Sequence, residues 1–102
     1  MKPLGDEDYG RCKYSITCFT DDPVIVHCLR AICHFAEVDV KPQIAWGGTK
    51  MKDWIGTGHQ ITLRFTSPYH RERFVREASR VLPDGSWRET ARSDNDPAKR
   101  QR

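Results

Sequence analysis

No apolar run in this chain approaches the roughly 20 residues that a membrane-crossing helix requires. The usual signatures of catalysis are missing too. There is no Gly-x-Ser-x-Gly elbow, no glycine-rich phosphate loop and no close pair of carboxylates in an apolar setting. The cysteines never fall at Cys-x₂-Cys spacing and the histidines never at His-x₃-His, the short separations that let ligands converge on zinc. The stretch from Met1 to Asp8 is acidic and lacks the apolar core of a secretory signal. From these absences we expect a cytoplasmic protein with reduced thiols, no metal, no cofactor and no enzymatic activity.

What remains is an ordinary globular composition. A chain of 102 residues with 37% hydrophobic and 30% charged side chains suits one domain with a modest core. The formal charge of +3 is unevenly spread, acidic before residue 10 and basic after Arg92. It permits an acidic protein or a nucleic acid as partner without demanding either. Residues 1–10 read as a flexible lead-in, 11–92 as the folded domain and 93–102 as a disordered basic tail.

Periodicity marks the elements. Tyr14, Ile16 and Cys18 alternate with polar positions from Lys13 to Phe19, a half-buried strand. Asp22-Pro23 offers an N-cap carboxylate and a first-turn proline. A helix follows to about Val38, with Ile25, Leu29, Ile32 and Ala36 as its apolar stripe, joined by Cys28 and Phe35. Gln43–Trp46 reads as a second strand. Gly47–Gly58 reads as a long hairpin connection, and His59–Phe65 as the clearest strand of all. Ser67-Pro68 repeats the cap-and-proline signal before a helix to about Leu82, with Phe74, Ala78, Val81 and Leu82 inward. A last short strand surrounds Trp87. The order βαββαβ predicts an α+β, ferredoxin-like fold: a four-stranded antiparallel sheet with both helices on one face. Ser15, Thr17, Gln60, Thr62 and Arg64 would line the other face.

Two candidate surfaces emerge. Met51, Trp54 and Ile55, set among Lys50, Lys52 and Asp53 on a glycine-hinged connection, have the makeup of a protein-binding anchor. The alternative is that Trp54 folds back over the core edge. A second surface, for nucleic acid, would use Arg64, Arg71, Arg73, Arg76 and Arg80. Its alternative is a solvated face laced by Glu72–Arg76 and Arg73–Glu77 pairs at i,i+4 spacing. Cys28 and Cys33 lie about 140° apart around their helix and cannot share a metal. The cysteines therefore read as core thiols and the histidines as exposed. His59 and His70 are placed to approach each other across the end of a strand, though surface histidines are commonly just solvated.

In strand and helix order the chain is similar to RNA-recognition motif domains. Gln60 and Thr62, however, stand where that family carries stacking aromatics, and Ser15 and Thr17 offer none on the first strand. In size, topology and absent chemistry, residues 11–92 also resemble small ferredoxin-like proteins of phages and mobile elements, such as anti-CRISPR inhibitors. That resemblance implies a non-enzymatic inhibitor or adaptor of a nucleic-acid-processing complex; the polarity of the open sheet face separately favours a monomer over a homodimer. The basic charge implies docking on an acidic protein surface rather than mimicry of DNA.

Overall fold

The computed structural model describes residues 11–36 and 51–97. The elements are β1 (Tyr14–Phe19), α1 (Pro23–Ala36), α2 (Met51–Gly56), β2 (Gln60–Phe65), α3 (Pro68–Val81) and β3 (Arg88–Ser93). The small α+β domain has no helix, among the described residues, long and apolar enough to cross a membrane. Among the described residues the expected four-stranded sheet is corrected to three antiparallel strands in the order β2-β1-β3. The expected strand Gln43–Trp46 lies outside the described residues. The segment read as a hairpin connection contains a helix, α2, which leads into β2.

The sequence signals for both long helices act as expected. Asp22 Oδ1 accepts the Val24 amide at 2.9 Å ahead of α1. Ser67 caps α3, its side chain accepting from the His70 amide, with Pro68 in the first turn. Both caps settle amides that would otherwise be orphaned at a helix start.

β1 is the centre of the sheet, paired to β2 from Tyr14↔Phe65 to Phe19↔Gln60. Ile16 and Cys18 of β1 and Ile61, Leu63 and Phe65 of β2 are buried under the helices. From α1 they meet Ile25, Val26, Leu29, Cys33 and Ala36; from α3 they meet Phe74 and Ala78. The rings of Phe65 and Phe74 lie 5.4 Å apart, and Trp87 closes that end at 6.2 Å from Phe74. Val26 and Cys33 replace Phe35 and Val81 in the core, so two residues expected inside point outward. Burial pushes the Cys18 thiol up to about 12, with Glu89 adding to it, so it stays protonated and unreactive at neutral pH.

β3 is attached differently. Five of its six residues are exposed, and no apolar side chain of the strand enters the core. A bulge at Thr90 shifts its register between Thr17↔Ala91 and Cys18↔Glu89. Polar contacts supplement the backbone ladder. Thr90 Oγ1 donates to the Thr17 carbonyl at 3.3 Å and meets Gln60 Oε1 at 2.9 Å. Arg92 pairs with Glu89 within the strand and with Glu72 of α3, both at 2.6 Å.

The Arg92 hydrogen bond holds the Glu89 carboxyl below its ordinary value of 4.5, with burial working against it. A carboxylate lowered on folding stabilises the fold above its unfolded pKa, and that contribution is lost as pH falls through the folded value. Wild type should therefore exceed Glu89→Gln in urea stability by a constant margin above about pH 5.5, of at most about 1 kcal/mol for so exposed a pair. The margin should shrink steadily below pH 4.5. A margin independent of pH, or one growing in acid, would show that the pair does not hold β3.

Candidate functional site

Of the expected protein-binding residues, Lys50 lies outside the described residues. The other four are split by α2. Met51 packs partly buried against the core and Trp54 is only 5% exposed, while Lys52 and Ile55 face outward. The indole Nε1–H of Trp54 donates to the Thr20 carbonyl at 2.8 Å, and His59 lies over its ring at 4.5 Å between centroids. Trp54 thus takes the core alternative. It satisfies a carbonyl at the end of β1 and joins α2 to the sheet. The i,i+3 spacing of Met51 and Trp54, followed by Gly58, is the sequence signal for this short amphipathic turn. Gly58 and His59 both adopt left-handed backbone, at φ 69° and 65°. Such a conformation is rare for a residue with a side chain, though histidine tolerates it better than most.

The arginines expected to face nucleic acid are also divided. Arg71 is 5% exposed. Its guanidinium donates to the Ser93 carbonyl at 2.9 Å and the Ser15 carbonyl at 3.4 Å, and pairs with Asp94 at 2.7 Å. Arg64 is closed over by Asp96, donating to its backbone carbonyl at 2.9 Å and to both carboxylate oxygens at 3.2 Å. These contacts carry the ordered chain past Arg92 into the segment read as a tail, since Asp96 also donates its amide to the Lys13 carbonyl at 2.8 Å. Arg80 pairs with Glu77 at 2.7 Å. Of these five arginines, only Arg73 and Arg76 make no ion pair with an acid among the described residues. The expected i,i+4 pairs do not form, because Glu72 turns to Arg92 on β3 and Glu77 to Arg80.

His59 and His70 stand at opposite ends of β2 rather than together, His70 Nδ1 meeting the Ser67 hydroxyl at 2.6 Å. Among the described residues no group of three or more His, Cys, Asp or Glu side chains is placed to hold a metal.

An apolar opening lies between α1 and α3. It holds about 290 Å³ and is lined by Ala31, Ile32, Phe35, Glu77, Arg80 and Val81. Phe35 and Val81 are 47% and 50% exposed, and Val24 further along α1 is 64% exposed. The Arg73 guanidinium sits over the Phe35 ring at 4.9 Å, a favourable cation–π placement. Arg73 and Arg80 therefore border an apolar trough whose lining, among the described residues, holds one acid, Glu77. The arginines, Arg80 first, hold that carboxyl below its ordinary value.

If Trp54 belongs to the core, Trp54→Phe should lose about 1–3 kcal/mol by orphaning the Thr20 carbonyl. Trp54→Ala should lose about 3–5 kcal/mol by leaving a cavity as well. Lys52→Ala and Ile55→Ala should stay within about 0.5 kcal/mol of wild type. Urea unfolding of the four variants checks this, and an unchanged Trp54→Ala would return that side chain to the surface. Compared with known proteins, the chain matches no family model, and neither a curated protein nor a solved structure matches it.

Proposed function

We propose that this domain is a non-enzymatic, monomeric protein-binding module whose contact surface is the trough between α1 and α3. The observation that carries the proposal is Phe35. It is a large aromatic side chain left half in solvent beside Val81, with Arg73 over its ring and Arg80 in the same lining. Aromatic and arginine side chains grouped around a shallow apolar depression are what protein interfaces concentrate at their energetic centres. The rim sets the partner's chemistry. Arg73 and Arg80 outnumber Glu77, so an apolar ridge flanked by carboxylates is favoured and a basic surface repelled. Inhibition or recruitment of a nucleic-acid-processing complex, the role implied by the likeness to anti-CRISPR inhibitors, would be one use of such a surface.

The test uses a labelled amphipathic helical peptide of about 18 residues, long enough to hold a helix on binding. Its leucines follow i, i+3, i+4, i+7 spacing and its polar face is glutamate; a twin peptide carries lysine instead. Fluorescence anisotropy should show the glutamate peptide binding and the lysine peptide failing. Phe35→Ser should weaken binding by about thirtyfold, as loss of a buried aromatic anchor does. Arg73→Glu should weaken it several-fold, mostly through slower association. Equal binding of both peptides, or no effect of Phe35→Ser, would remove this surface from the account.

A further inference from the structure

Phe19 ends β1 on the sheet face that carries no helix, the face also formed by Thr17, Thr62 and Gln60. The outward positions Ser15 and Thr17 offer no aromatic ring, but the same period of two brings Phe19 onto that face two residues further on. Beside it, between the β1–α1 connection and the turn entering β3, lies a cleft of about 290 Å³ lined by Phe19, Thr20, Asp21, Ser86, Trp87 and Arg88. This is at the small end of ligand pockets.

The walls are fixed by one buried residue. Thr20 is 2% exposed. Its Oγ1 donates to the Ser86 carbonyl at 2.8 Å and accepts the Asp22 amide at 3.3 Å. Its own amide donates to the His59 carbonyl at 3.2 Å, and its carbonyl accepts from Trp54 at 2.8 Å. The turn into β3, the start of α1, α2 and the residue before β2 are therefore all hydrogen-bonded to this one residue.

The two charged side chains of the cleft are, by contrast, without ion-pair partners among the described residues. The Arg88 guanidinium lies 4.6 Å over the Phe19 ring. Asp21 is exposed and its carboxylate has no hydrogen-bond partner among the described residues. Trp87 is half-buried, packed on Phe74. A flat stacking surface, a planar cationic donor and a free carboxylate acceptor thus share one small opening. A flat ring system stacks on an aromatic side chain or an arginine plane, and a carboxylate accepts from an edge bearing two neighbouring N–H donors.

We propose that this cleft binds a guanine base, stacked on the Phe19–Arg88 pair with its N1–H and exocyclic amine edge towards Asp21. Adenine lacks that adjacent donor pair and is the disfavoured base. The base arrives either on a free nucleotide or extruded from a single strand, where Arg88 also meets the backbone phosphate. The site shares no residue with the α1–α3 trough, so the two proposals stand or fall separately.

Calorimetric titration with GMP and AMP, and anisotropy with thymine oligonucleotides carrying isolated guanines or isolated adenines, test it on the full chain. Guanine ligands should bind roughly tenfold more tightly than adenine ligands, the discrimination of one good bidentate contact. Asp21→Asn should abolish that preference. Arg88→Ala, at an exposed position that leaves the core intact, should weaken all ligands roughly tenfold. Arg76→Ala, on the far side of the helices, should change nothing with the free nucleotides. Guanine oligonucleotides binding more tightly than GMP and weakening with salt would identify a strand as the source. Equal affinities at all salt concentrations would identify the nucleotide. Absence of a guanine preference, or binding insensitive to both Asp21→Asn and Arg88→Ala, would overturn the site.

Discussion

The contact on which most of this structure depends is the buried fork of Arg71. It reaches from α3 to the Ser15 carbonyl on the central strand and the Ser93 carbonyl on the edge strand, with Asp94 supplying the countercharge. A buried guanidinium costs several kcal/mol in lost hydration unless hydrogen bonds and a countercharge replace the water. Here that constraint fixes where β3 ends and which way the chain turns after it. An edge strand with five of six residues in solvent has little hydrophobic reason to stay on the sheet. Arg71 at one end, Arg92 and Glu72 in the middle and the Thr90–Gln60 contact across the face hold it instead.

The same arrangement decides what the surface can offer. Arg64, Arg71, Arg80 and Arg92 are each occupied by a carboxylate of the chain itself. The excess positive charge therefore reaches solvent at fewer places than a count of arginines suggests. Arg73 carries it beside the apolar trough, Arg76 on the exposed side of α3, and Arg88 at the far end of the open sheet face. Both surfaces set an arginine over an aromatic ring, the exposed Phe35 under Arg73 and the half-buried Phe19 under Arg88.

Much of this was legible from residue order alone, where the signal was local. Asp22-Pro23 and Ser67-Pro68 fixed both helix starts, because caps and first-turn prolines act over three residues. The alternation through Ile16, Cys18, Ile61, Leu63 and Phe65 fixed the buried sheet face. What was not legible depended on distant partners. Trp54 reads as a loop anchor until Thr20 supplies an acceptor for its indole. Glu72 has an ideal i,i+4 partner in Arg76, yet pairs with Arg92, twenty residues on, because β3 crosses beside its face of α3. Phe35 matches the apolar stripe of α1 by spacing, but Val26 and Cys33 fill the space against the sheet first. Phe19 lay in plain view of the alternation and was obscured only by being the last residue of its strand.

The division of the arginines into internally paired and free ones is open to direct observation. Heteronuclear NMR resolves side-chain Nε–H groups, and their exchange with solvent reports burial and pairing residue by residue. Arg64, Arg71 and Arg92, assigned by single substitution, should give distinct, slowly exchanging signals that persist at moderate salt. Arg76 and Arg88 should exchange fast enough to broaden away under the same conditions. An Arg71 signal as labile as that of Arg76 would contradict the account, for it would place that guanidinium in solvent and leave β3 without its clasp.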